Sequence, residues 1–222
     1  MTNAERAGSI SNAASVPESL AVTPRWEWRT FAQHLAPVPQ SLAVGPSDAS
    51  QDEVYFVAAV SPQNVKLRRD RVEIKQLEEI DPNGLERWRP VASFAFPLGR
   101  AELDRIGAAL GVRVPGAPGI SLDRAGLLAA VESLYPRVVA IPVTKRRSRF
   151  VAAACLGEHV DLLICNDRWQ SIALEDEDPT VVKRAVHLLQ MDHFPNTNYP
   201  AVLKAIAGVR SIAKPSLLQE TF

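Results

Sequence analysis

Charged side chains two residues apart recur along this chain, and that spacing decides what chemistry they can do. Lys66 and Arg68 form one such pair, and Glu175 and Glu177 form another. On an extended strand, side chains at positions i and i+2 lie on the same face. The same spacing joins Glu27 to Arg29, Glu73 to Lys75, and Lys145 to Arg147 and Arg149. Strands that turn such faces toward one another would enclose a charged cavity, which suits a polyanion.

The basic members of these pairs predict contacts to phosphate groups. Arginine offers phosphate oxygens a planar fork of donors, whereas lysine offers a compact point charge. The alternative is a solvated outer face of an antiparallel sheet, where both residues are common. The candidate substrate-binding residues are Arg29, Lys66, Arg68, Lys75, Lys145 and Arg147.

The acidic members predict a divalent metal site. Mg²⁺ binds one or two carboxylates together with water and phosphate oxygens, and it neutralises a polyphosphate. Glu27, Glu175 and Glu177 are the predicted ligands of Mg²⁺ or Mn²⁺, and Glu27 and Glu175 are also the predicted catalytic carboxylates. The alternative for Glu177 and Asp178 is to stabilise the start of a following helix, and for Asp178 we favour it.

Composition narrows the class of protein. The chain has 222 residues, of which 46% are hydrophobic, and its 25 basic residues balance 25 acidic ones, so no net field favours nucleic acid or an anionic membrane. Two cysteines and four scattered histidines give no disulfide framework or metal-binding spacing, and no phosphate-binding glycine loop is present. No apolar run is long enough to span a membrane, and no signal peptide is evident, so we expect a cytoplasmic protein.

Alternation places most of the charged pairs on strands. In RWEWRTF, Trp26 and Trp28 share one face, and Glu27 and Arg29 share the other. The tryptophans are expected to pack on a helix of the same chain or on a second subunit of a homodimer. Further strands are predicted at 53–60, 64–69, 71–79, 85–95, 138–143, 145–154, 158–165 and 169–175.

Helical patterns lie between and after these strands, at 100–110, 122–134, from Asp178 onward and at 199–207. The combination predicts an α+β fold, an antiparallel β-barrel or tunnel of about eight strands with helices packed outside. We expect a single domain at 23–210, with a disordered tail at 1–22 and a second tail at 211–222.

The order of these motifs resembles the CYTH superfamily, the triphosphate tunnel metalloenzymes that include class IV adenylate cyclases and thiamine triphosphatases. RWEWRTF resembles the family's opening ExExK strand, with Arg25 in place of the first glutamate or, if the register is taken from Thr30, with Trp26 and Trp28 in place of both glutamates. Glu53 and Tyr55 resemble an acidic residue and a tyrosine near the next strand. VKLRRDRVEIKQL and VTKRRSRF resemble the family's basic strands, and SIALEDEDP resembles its paired-glutamate strand, with Ala173 at the first position unless the pair has slid to Glu175 and Glu177.

The resemblance implies a tunnel that binds a triphosphate-bearing or polyphosphate ligand and, where the metal ligands are kept, hydrolyses it with Mg²⁺ or Mn²⁺. Arg25 and Ala173 depart from the metal-binding pattern. A phosphate-binding or protein-interaction module without catalysis is therefore the alternative, because function depends on the site rather than on the fold. The predicted partner is a phosphorylated small molecule or polyphosphate, with no nucleic acid specifically indicated and no membrane.

Overall fold

The structure is a computed structural model, and it describes residues 23–117 and 119–209. The predicted tails at 1–22 and 211–222 lie outside the described residues. The strands within those residues are β1 Arg25–Ala32, β2 Gln51–Ala58, β3 Asn64–Arg68, β4 Arg71–Ile80, β5 Glu86–Ala95, β6 Val138–Ala152, β7 Cys155–Ile164 and β8 Asp167–Asp176. The α-helices are α1 Arg100–Leu110, α2 Arg124–Glu132, α3 Pro179–Leu188 and α4 Tyr199–Ile206.

The strands close into a barrel in the order β1-β5-β4-β3-β2-β6-β7-β8, and β8 pairs with β1. Neighbouring strands are antiparallel all the way around. The predicted α+β fold with a closed antiparallel sheet of about eight strands is confirmed. The runs predicted separately at 138–143 and 145–154 form one strand, because Thr144 continues the pairing with Asp52 on one side and Leu163 on the other.

Alternation along each strand places two apolar clusters outside the barrel, under the helices. Trp28 packs outward against Val182 and Ala185 of α3, and Trp26 packs beside the same cluster. Of the two packing partners left open by the sequence, the structure shows the helix of the same chain. A second cluster lies where α1 covers β2, β3 and β4 and α2 covers β6, and it includes Leu103 and Ile106. A third cluster fills one end of the barrel interior, where Ile141 and Val160 meet Leu203 of α4. Charged side chains occupy the remaining inward positions.

Capping residues fix where the last two helices begin. The Asp178 side chain accepts a hydrogen bond from the backbone N–H of Thr180 at the start of α3, so the predicted cap is present. Asn198 caps α4 in the same way, and this start places Tyr199 against Tyr55 of the barrel wall. None of the helices in the described residues has the length and apolarity needed to cross a bilayer.

Candidate functional site: a charged cavity inside the barrel

A cavity of about 590 Å³ lies inside the barrel. Its walls come from the inward positions of the strands, with Tyr199 contributed by α4. Among the described residues, seven cationic side chains line it: Arg29, Lys66, Arg68, Lys75, Lys145, Arg147 and Arg149. Four carboxylates line it as well: Glu27, Glu73, Glu158 and Glu175. Strands that are far apart in the chain therefore bring their charged faces into one space.

The structure brings together nearly all of the residues that the sequence singled out. The six predicted substrate-binding side chains line the cavity, and Glu27 and Glu175 line it with them. Glu177 does not, because β8 ends at Asp176 and the exposed Glu177 lies in the turn that leads to α3.

Glu53 is the centre of one ion-pair network beside the cavity. Its side chain is fully buried, with Lys145 Nζ 2.8 Å from Oε2 and Arg147 Nη2 2.9 Å from Oε1. Lys66 Nζ lies 3.4 Å from Oε1. Burial by itself would raise the pKa of Glu53, but the charges of Lys145 and Lys66 outweigh burial and hold that pKa below its usual range. Glu53 is therefore a permanent anion that fixes three cationic side chains.

Arg29 is the centre of a second network. Its Nε donates to Glu27 Oε1 at 2.8 Å, its Nη2 to Glu158 Oε1 at 2.7 Å, and its Nη1 to Ser171 Oγ at 3.0 Å. Burial would raise the pKa of Glu158, but the charges of Arg29 and Arg147 lower it to about 2. Arg147 contacts both Glu53 and Glu158, so it links the two networks.

Two tyrosines form one wall beside these networks. The rings of Tyr55 and Tyr199 stack with centroids 5.1 Å apart. Lys145 Nζ lies 3.7 Å from the centroid of the Tyr199 ring, close enough for a cation–π interaction. The Tyr199 hydroxyl is buried and has no hydrogen-bond partner within the described part of the chain, while Tyr199 lines the cavity. Tyr199 therefore contributes a buried hydroxyl with an unused donor to this wall.

The site contains residues that were not predicted as site residues. Glu53 and Tyr55 were noted only for their resemblance to family positions, and Glu158 was not singled out. The sequence did carry a signal for Glu158, because this charged residue lies on the same strand face as Val160 and Leu162, which are buried. For Tyr199 no comparable signal exists, because the helix pattern does not show which face meets the barrel.

The mouth of the cavity combines charge with exposed apolar side chains. Glu27 and Glu175 are directly paired across β1 and β8, so their side chains share a face. Arg25 Nη1 lies 3.3 Å from Glu175 Oε1. Across β6 and β7, Val151 and Leu156 are also directly paired. Both side chains line the cavity, and the two residues are 36% and 46% exposed. The mouth therefore offers an apolar edge to whatever part of a ligand lies beyond its phosphates.

The residues present do not fit a resident divalent metal. Within residues 23–117 and 119–209 there is no group of three or more His, Cys, Asp or Glu side chains arranged to hold a metal ion. Each carboxylate that lines the cavity already contacts a cation: Glu27 with Arg29, Glu73 with Arg68, Glu158 with Arg29 and Arg147, and Glu175 with Arg25. These carboxylates are neutralised by the chain itself.

No family model matches the chain, and no curated protein matches it. Among solved structures, it is similar to a candidate adenylyl cyclase from Hippeastrum with a dominant triphosphatase activity, at a TM-score of 0.41 and 11% identity over 82% of this chain and 95% of that one. It is also similar to a conserved hypothetical protein from Pyrococcus furiosus, at a TM-score of 0.42 and 10% identity over 80% and 98% of the two chains. A protein from Pyrococcus horikoshii gives a TM-score of 0.41 and 11% identity over 80% and 99%.

Proposed function

We propose that the barrel binds an anion with several phosphate groups, a triphosphate-bearing small molecule or a polyphosphate, inside its cavity. The observation that carries the proposal is the imbalance of charge at the cavity, where seven cationic side chains of the described residues meet four lining carboxylates and Glu53 beside them. An enclosed cavity strengthens each charge interaction relative to bulk water. A polyanion is the ligand class that satisfies such an excess, because several phosphate groups can each meet a lysine or an arginine.

Lys75 illustrates the unsatisfied part of this charge. It lines the cavity, and no carboxylate of the described residues lies within ion-pair distance of its Nζ. The nearest acidic residue on its own strand face, Glu73, contacts Lys66 and Arg68 instead. A phosphate group near Lys75 would supply the missing partner without breaking an existing pair.

The cavity volume of about 590 Å³ is that of a small-molecule site, for which volumes of roughly 300–1,000 Å³ are usual. The exposed Val151 and Leu156 at the mouth suit an organic group attached to the phosphates. Inorganic triphosphate and ATP are therefore the two probes that separate phosphate binding from recognition of the attached group.

Calorimetric titration with these probes tests the proposal. The wild-type chain is expected to bind inorganic triphosphate more tightly than inorganic phosphate. Lys75→Met should weaken triphosphate binding roughly 10- to 150-fold, because one charge-assisted contact contributes roughly 1.5–3 kcal/mol. Lys183→Met, which removes a lysine from the outer helix α3, is the matched control and should bind as the wild type does. Absence of binding to inorganic triphosphate, ATP and inorganic phosphate would contradict the proposal. Equal losses of triphosphate affinity in the two variants would contradict it as well.

Hydrolysis of the bound anion is a second candidate function, favoured by the direct pairing of Glu27 and Glu175 at the mouth. Each carboxylate that lines the cavity already contacts a cation of the chain, so a Mg²⁺ or Mn²⁺ ion would enter as part of the ligand. Phosphate release from triphosphate, measured with each metal, tests this function. Release above the buffer rate that falls in Glu175→Ala supports it, and release no faster than in buffer excludes it.

A further inference from the structure

Arg25, Glu27 and Glu175 form a charged group at the mouth of the cavity. Glu27 and Glu175 are directly opposed on β1 and β8, and Arg25 precedes Glu27 by two residues, so all three occupy the same face. The contact between Arg25 Nη1 and Glu175 Oε1 is 3.3 Å long. Glu27 lines the cavity but is bound by Arg29 from the inner side.

Two opposed carboxylates at the mouth would repel an entering phosphate unless a cation compensates them. A divalent cation shared between protein and phosphate is one solution. A fixed guanidinium is the other, because arginine keeps its charge and binds carboxylate and phosphate oxygens with separate donors. This chain has the second arrangement, since Arg25 Nη1 lies 3.3 Å from Glu175 Oε1.

We propose that Arg25 is a built-in counter-cation that replaces a divalent metal at the mouth, and that the cavity consequently takes the metal-free form of a triphosphate or polyphosphate anion. This inference rests on the proposed phosphate-binding function and specifies the form of its ligand. Arg25 is 41% exposed in its side chain, so its guanidinium has donors free for a phosphate oxygen while it holds Glu175.

Reversing the charge of residue 25 should change how triphosphate binding depends on a metal ion. Arg25→Glu would place three carboxylates on one face of β1 and β8, which is a donor set that Mg²⁺ accepts. The variant would lose a phosphate contact and gain repulsion, and a divalent ion would remove that repulsion. Binding that is independent of metal in the wild type should therefore become dependent on metal in the variant.

Calorimetric titration with inorganic triphosphate, once in EDTA and once with excess Mg²⁺, tests this role. The wild type is expected to bind at least as tightly in EDTA as with Mg²⁺. Arg25→Glu should bind more than about tenfold more weakly in EDTA, the equivalent of at least one charge-assisted contact, and should recover with Mg²⁺. Arg146→Glu carries the same charge change on the outer face of β6 and should behave as the wild type does in both buffers.

The outcomes separate this inference from the proposed function. Wild-type binding that requires Mg²⁺, or Arg25→Glu binding equal to the wild type in EDTA, overturns the role of Arg25 while leaving phosphate binding intact. Absence of wild-type binding in both buffers contradicts the function itself and, with it, this inference. If Arg25→Glu does not fold, Arg25→Met replaces it and should bind about tenfold more weakly than the wild type in EDTA.

Discussion

Glu53 shows how a buried carboxylate organises cationic side chains for a ligand. Isolated charges are costly to bury, and the side chains of Lys145 and Glu53 are only 2% and 0% exposed. Each of the two therefore depends on the charge of the other to remain inside the barrel. The contacts from Glu53 hold Lys66, Lys145 and Arg147 in fixed positions before any anion arrives. Side chains that are already oriented lose less conformational freedom on binding.

Replacing Glu53 with glutamine should destabilise the free protein and strengthen triphosphate binding. The shape of the side chain is kept, but the buried Lys145 loses its counter-charge, and removing one partner of a buried pair costs about 3–5 kcal/mol. A bound triphosphate would restore a counter-charge, so the variant should gain more from the ligand than the wild type does. Urea unfolding with and without triphosphate measures both effects.

Glu86→Gln provides the control for that experiment. Glu86 is buried as well, but it accepts hydrogen bonds from Trp88 and Asn198 and does not line the cavity. Its neutralisation leaves no buried cation without a partner and should leave the ligand effect unchanged. A Glu53→Gln variant that gains no more from triphosphate than Glu86→Gln would contradict the proposed place of Glu53 beside the phosphates.

Glu158 should make stability depend on acid pH. Its pKa is about 2 in the folded protein against an ordinary value of 4.5, because the charges of Arg29 and Arg147 outweigh the effect of burial. A carboxylate with a depressed pKa contributes stability that is fully present above its unfolded pKa and is lost as pH falls toward its folded pKa. The free energy of unfolding should therefore drop between about pH 4.5 and 2.

Urea unfolding across that pH range, in the wild type and in Glu158→Gln, measures this dependence. The variant should be less stable at neutral pH, since Arg29 loses a buried partner, and its stability should fall less steeply in acid. Parallel pH profiles for the two proteins would show that Glu158 does not carry the effect.

At the scale of elements, the pairing of β6 with β7 depends on one glycine. Gly157 is directly opposite Phe150, and a Cβ on Gly157 would lie 2.2 Å from Cε2 of the Phe150 ring. Phe150 is buried in the same outer cluster as Trp28, so its ring has little room to move. The absence of a side chain at Gly157 lets the ring lie against the strand.

Gly157→Ala should lower the free energy of unfolding by about 1–3 kcal/mol, the usual cost of an overpacked core. Adding Phe150→Leu should recover part of the loss, because the smaller side chain makes room for the new methyl group. Denaturant unfolding of the single and double variants gives both values. A double variant that is destabilised by the sum of the two single effects would show that the contact with Phe150 is not the cause.

Local patterns predicted the strands and helices but not the order of the strands around the closed barrel. Alternation in RWEWRTF assigned the faces of β1 correctly, since Trp28 packs outward and Arg29 inward. The position of β1 between β5 and β8 could not be predicted, because it follows from closure of the sheet rather than from any local signal. The prediction of two runs where β6 is one strand has the same cause, because pairing with β2 and β7 on either side keeps the strand continuous.

At the scale of the whole molecule, closure of the barrel explains why the sequence identified the cationic residues of the site more readily than their acidic partners. The cationic side chains were identified because each lies in a pair with strand spacing. The partners of those cations were harder to identify: Arg29 and Glu158 are 129 residues apart, and Glu53 and Arg147 are 94 apart. Only the closed sheet brings these carboxylates and cations together, and it also shows that the acidic residues are already neutralised.

A crystal structure of the wild-type protein with inorganic triphosphate, in EDTA, tests phosphate binding inside the barrel most directly. Phosphate oxygens should lie within about 2.7–3.2 Å of donor nitrogens from Lys66, Arg68 and Arg147. Lys75 should acquire the anionic partner that it lacks among the described residues. Triphosphate bound on the outer surface, with the ion pairs of Glu53 and Arg29 unchanged and no anion in the cavity, would contradict the proposal.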